Sequence, residues 1–142
     1  MGLDAVVYRN VANINLGEDR RSANVDPETG EVYFEEQETA RKHQGKLLPA
    51  AESRLGNVAE ISALSDEITR LLGPHSSVCD QVLYSGSHSG DMIPTSGLPA
   101  LAAEIERLRR LGSASQALLL FLKKLETLIG AALTERNPIV FV

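Results

Sequence analysis

Three stretches of the chain repeat their apolar residues at steps of three and four, the spacing that lines one face of an α-helix. In residues 58–72 these are Ile61, Leu64, Ile68, Leu71 and Leu72. Asn57 with Glu60 three positions later has the spacing of a capping box, and Gly73-Pro74 ends the pattern. In residues 98–111 the stripe is Leu101, Ile105, Leu108 and Leu111, with Pro99 in the first turn, where its missing N–H costs nothing, and Gly112 at the end. Ser113 or Ser115 then caps a third helix over residues 117–133, the most apolar of the three. Leu118, Phe121, Leu122, Leu125, Leu128, Ile129 and Ala132 form its stripe, and Leu119 and Leu120 widen it. That extra width suits either a central core helix or a contact between two copies in a homodimer.

Shorter runs read as strands. Residues 3–8 are apolar at nearly every position except Asp4, near the start, as expected of a strand covered on both faces. Residues 31–36 alternate, with Val32 and Phe34 on one face and Tyr33 and Glu35 on the other, a solvated or edge strand. They follow Val25-Asp26-Pro27-Glu28-Thr29-Gly30, a tight turn in which proline fixes φ and glycine supplies a positive φ. Residues 78–84 read as a third strand, and residues 139–142, after the helix-breaking Asn137-Pro138, as a last one. Residues 9–24 are a turn-rich connection, residues 37–44 a short exposed helix, and residues 45–57, with Pro49 and Gly56 and no clean period, irregular chain. The pattern predicts one α+β domain over residues 1–142, a sheet of about four strands packed against about three helices.

Composition narrows the function classes. The length of 142 residues suits one domain. Aromatics make up 4% and tryptophan is absent, so the core must come from leucine, isoleucine, valine and alanine. A net charge of -5 argues against general nucleic-acid binding, which needs a basic surface to neutralise phosphates. The charge is uneven: residues 18–38 are acid-rich and residues 104–124 carry Arg107, Arg109, Arg110, Lys123 and Lys124. Two solvated faces account for that, and so does a dipolar surface that steers a charged partner. The single Cys79 allows no intrachain disulfide, fits a reducing compartment, and is expected as a buried structural thiol. The start, Met1-Gly2-Leu3-Asp4, has no basic region, and the longest unbroken apolar run, residues 117–122, is far too short to span a bilayer. The expectation is a soluble, cytoplasmic protein with no membrane contact.

Groups able to do chemistry crowd together once, in Tyr84-Ser85-Gly86-Ser87-His88-Ser89-Gly90-Asp91. As a plain connector, the loop uses its glycines for unusual φ values and its serines and Asp91 for local backbone bonds. As a hydrolase site, serine, His88 and Asp91 would act as nucleophile, base and orienter. Side chains so close in sequence seldom converge, and the Gly-x-Ser-x-Gly elbow is absent. As an anion cradle, Gly86 and Gly90 would bring N–H groups to a phosphate, but Asp91 and the acidic chain oppose a dianion. A zinc site from His75, Cys79, His88 and Asp91 has suitable ligand types at a spacing that matches no known framework. His43 and His75 read as exposed loop residues. The favoured reading is a non-enzymatic binding or interaction module without metal or cofactor. It uses Ser85, Ser87, His88, Ser89 and Asp91 to hold a small polar ligand or a partner protein; the alternative is a small hydrolase acting through the same loop.

Three pieces together resemble a group of small uncharacterised bacterial proteins: Met1-Gly2-Leu3-Asp4 at the start, Tyr84-Ser85-Gly86-Ser87-His88-Ser89-Gly90-Asp91 in the middle, and Asn137-Pro138-Ile139-Val140-Phe141 at the end. The resemblance skips the acidic region between Asn10 and Asn57. It implies that the loop and the C-terminal strand belong to one structural unit, and it assigns no activity to any residue.

Overall fold

Every second residue of the first strand, β1 (Gly2–Val7), is apolar and fully buried: Leu3, Ala5 and Val7 face the helices. The computed structural model describes residues 2–142, so Met1 of the opening motif lies outside the described residues. β1 is central in a four-stranded antiparallel sheet with the order β4-β1-β6-β5, where β4 is Ala51–Asn57, β5 is Met92–Ile93 and β6 is Ile139–Phe141. β2 (Asn24–Val25) and β3 (Val32–Tyr33) form a separate two-stranded ribbon. The helices are α1 (Gln37–Lys42), α2 (Val58–Leu72), α3 (Ser77–Gln81), α4 (Leu98–Leu111) and α5 (Gln116–Glu135). The protein is a single small α+β domain.

The three long helices form as their periodicity requires. Asn57 and Glu60 make the reciprocal bonds of a capping box at the start of α2. Ser115, rather than Ser113, caps α5 through the Leu118 N–H. Gly112 ends α4 in the left-handed conformation, φ 69°, that glycine adopts without strain. Their apolar faces close over one face of the sheet, with Ile61, Ile68, Leu101, Leu108, Leu122 and Leu125 in one cluster with Leu3, Ala5, Leu55 and Phe141.

Four assignments differ from the sequence reading. Residues 78–84 are not a strand. Ser76 caps α3 through the Cys79 N–H, and Val78 and Val82, one helical turn apart, both face the core. Glu104, buried on α4, completes the cap: it accepts from the Ser76 hydroxyl, from Ser77 N at 2.7 Å and from Val78 N at 3.0 Å. This tertiary bracket favours helix over the β-rich local composition. The missing strand is β4, read as irregular because its inward positions include Ala51 and Ser53, which are too small to show an alternation. Residues 31–36 are not in the main sheet. Val32 and Phe34 instead join Ile14 and Leu16 in a small second core. His43, expected to be exposed, is 3% accessible and stacks on Phe34, with Nε2 2.7 Å from Asp19 Oδ2. That bond, followed by the one from Lys42, holds the Asp19 carboxyl below its ordinary 3.8. Cys79 is partly buried and packs against the main core, with its Sγ 3.8 Å from the Ser65 carbonyl.

The candidate site and what surrounds it

The loop of interest joins α3 to β5, and three contacts fix its path. Gly86 lies against the first turn of α2, where a Cβ would come within 2.9 Å of Val58 Cγ1 and 3.0 Å of its Cα. Only a residue without a side chain fits there. Gly90 N donates to Phe141 O at 2.8 Å, and Phe141 N donates to Asp91 O at 2.9 Å, so the end of the loop pairs with β6. Gly90 makes this approach at φ 95°, a conformation costly for any other residue.

His88 lies behind the tip rather than on it. Its ring, 5% accessible, stacks on Tyr84 at 4.1 Å and meets Phe141 edge-on at 4.2 Å. Nε2 lies 2.8 Å from the Val82 carbonyl. A carbonyl can only accept, so Nε2 carries the proton of that bond. Nδ1 is buried without a hydrogen-bond partner among the described residues and lies 3.8 Å from Asp91 Oδ2, beyond hydrogen-bond reach. The ring therefore fills the space between Tyr84 and the C-terminal strand.

The remaining groups face outward. Ser87, Ser89, Gly90 and Asp91 are exposed, and Tyr84 is half accessible. Ser85 closes a local turn, its hydroxyl donating to Ser87 O at 3.1 Å and accepting from Ser87 N at 3.3 Å. The Tyr84 hydroxyl donates to the Asp91 carboxylate. Partial desolvation first, then that bond and the negative charge of Asp91, push the Tyr84 phenol up to about 12.

The five residues singled out from sequence thus occupy three settings. Ser87, Ser89 and Asp91 share the exposed tip, Ser85 braces it, and His88 supports it from within. Tyr84 belongs with them and was not among the five. The signal was its place four residues before His88, a spacing that lets two rings stack when the intervening chain curls back. Phe141 carried no local signal.

This geometry bears on each chemistry in turn. Among the described residues no loop serine hydroxyl hydrogen-bonds the His88 ring, whose Nε2 is engaged by the main chain. For a phosphate cradle, the N–H groups of Ser87, Gly90 and Asp91 are already donated within the protein, to Ser85 Oγ, Phe141 O and His88 O. Among the described residues no three histidine, cysteine, aspartate or glutamate side chains gather as a metal would require. No described helix is long and apolar enough to cross a membrane. Comparison with protein-family models, with curated proteins and with solved structures returned no match.

Proposed function

We propose that the protein is a small binding module whose contact surface is the loop tip formed by Tyr84, Ser87, Ser89 and Asp91, held in place by His88. The observation that carries this reading is the double attachment of an exposed polar tip. Aromatic packing on Phe141 and paired backbone bonds to β6 fix the loop from behind, while its hydroxyls and one carboxylate face solvent. A loop held in one conformation loses little entropy when it binds, so a few polar contacts are enough to give affinity. The tip offers acceptors (a carboxylate, a phenol and two hydroxyls), and the chain is acidic. The fitting ligand is therefore a donor-rich neutral or basic group, such as an amine or a peptide segment of a partner protein. A cytoplasmic location agrees with the lone thiol of Cys79. The resemblance to small uncharacterised bacterial proteins suggests that this loop and the C-terminal strand belong to one unit, and the bonds between Gly90, Asp91 and Phe141 support treating them together.

The test compares the wild-type chain with a Ser87→Ala/Ser89→Ala/Asp91→Asn variant as immobilised bait in a native extract, beside melting curves for both. We expect retained proteins or small molecules that the variant loses, with an unfolding free energy within about 0.5 kcal/mol of wild type, as is usual for exposed loop changes. Identical retention by the two baits refutes the assignment.

A further inference from the structure

We propose that β4 is an interface for a second copy of the chain, joining two sheets edge to edge about a two-fold axis through Ser53. β4 is the outer strand of the sheet and, at seven residues, its longest. Its outward-facing backbone groups follow from the register. Val142 N donates to Asp4 O, so Asp4 and Val6 turn their peptide groups toward β6. Ala5 and Val7 then turn theirs toward β4, where they meet Ser53 and Ala51. The peptide groups of Glu52 and Arg54 are left pointing away from the sheet. The bond from Lys124 Nζ to Arg54 O, 3.0 Å, agrees with that direction. Rows of unpaired N–H and C=O groups on an open edge are a template for another strand.

The side chains select which strand. Antiparallel pairing with Ser53 opposite Ser53 of a second copy sets Glu52 opposite Arg54, and Arg54 opposite Glu52. These are the residues whose peptide groups point outward, so each such pair exchanges two backbone hydrogen bonds. Both side chains leave the sheet on the face away from the helices, where they border a hollow with Asp4 and Val142. Each cross-strand pair therefore joins opposite charges, and the arrangement is self-complementary, as an isologous dimer requires. Glu52 makes no ion pair within its own chain among the described residues. Arg54 uses one guanidinium nitrogen on Asp4, 3.0 Å, and its other guanidinium nitrogens make no ion pair among the described residues. On the helix face, Leu120 is 56% exposed one turn before Lys124, beside Leu55 in a groove of about 190 Å³ that opens next to the edge. The second copy covers this groove rim, and the Lys124 ammonium yields Arg54 O to the incoming Glu52 N–H. The contact lies on the opposite edge of the sheet from β5 and the loop tip, so it leaves that surface open.

Sedimentation equilibrium of the full chain, in a series reaching about 1 mM, tests the interface. It is run on wild type, on Glu52→Arg, on Arg54→Glu and on an equimolar mixture of the two variants, with melting curves to show that each is folded. The wild type is expected to move from 15.3 kDa toward twice that mass. Each variant sets like charges opposite one another and should raise the dimer Kd at least about tenfold. The mixture restores opposite charges at both positions and should recover the dimer. A wild-type chain that stays monomeric throughout overturns the proposal. So does a dimer that both variants leave unchanged, or a pair of monomeric variants that fails to associate on mixing.

Discussion

The phenol of Tyr84, which donates to the Asp91 carboxylate, is an outward-facing group of the loop whose ionisation reports on its geometry. The Tyr84 hydroxyl is raised from 10.0 to about 12, so its stabilising contribution is complete below pH 10 and is lost as the pH rises through about 12. In an ultraviolet titration Tyr84 should ionise well above the ordinary phenol range. In Asp91→Asn it should move part of the way back, because burial is the larger cause and remains. A full return to 10 would mean that the Tyr84 ring is not held against His88. His88 itself is a supporting ring. We expect His88→Ala to cost about 2–4 kcal/mol in urea unfolding, from lost packing and an unpaired Val82 carbonyl. Unchanged stability would place the ring in solvent. The sequence marked His88 as out of keeping with a simple connector, but its surroundings depend on Phe141, far along the chain, which no local pattern reveals.

Among the elements, the long helices were legible because their stripes repeat over several turns and their ends carry their own signals, Asn57 and Ser115 at starts and Gly112 at a stop. The short elements were not, for two different reasons. β4 hides its alternation behind Ala51 and Ser53, whose side chains are too small to mark a buried face. α3 is only five residues long and depends on Glu104 of another helix for its start. Five residues cannot sustain a helix through their own propensity. Glu104→Ala leaves Ser77 N, Val78 N and the Ser76 hydroxyl without their acceptor. We expect it to cost about 2–4 kcal/mol and to loosen α3 before the rest of the molecule. Amide exchange at Ser77 and Val78 no faster than in wild type would show that the cap is dispensable.

Across the whole molecule, the segment between β1 and β4 has its own small core of Ile14, Leu16, Val32 and Phe34, and polar bonds tie it to the C-terminal end of α5. Asn10 N and Asn10 Nδ2 donate to Glu135 Oε1 at 3.0 Å and Glu135 O at 2.9 Å. Asn137 Nδ2 donates to Tyr8 O at 2.8 Å while its amide rests on Gly30, whose φ is 80° and where a Cβ would fall 2.2 Å from Asn137 Oδ1. Gly30→Ala combines that collision with an unfavourable φ and should lower stability by roughly 1–3 kcal/mol, read from thermal unfolding. A neutral result would mean that the ribbon and the C-terminus are not in contact. The residues just after α5 thus serve two regions: Asn137 holds the inserted segment, and Phe141 holds the candidate binding loop.

That last dependence is the centre of the account, and the amide of Gly90 reports on it most directly. Its N–H donates to Phe141 O, at the point where the loop joins the sheet. In native-state hydrogen exchange we predict that Gly90 is protected to nearly the degree of the Phe141 amide, while Ser89 beside it on the exposed tip exchanges freely. If Gly90 exchanges as fast as Ser89, the loop is not built on the last strand, and the fixed polar tip does not exist.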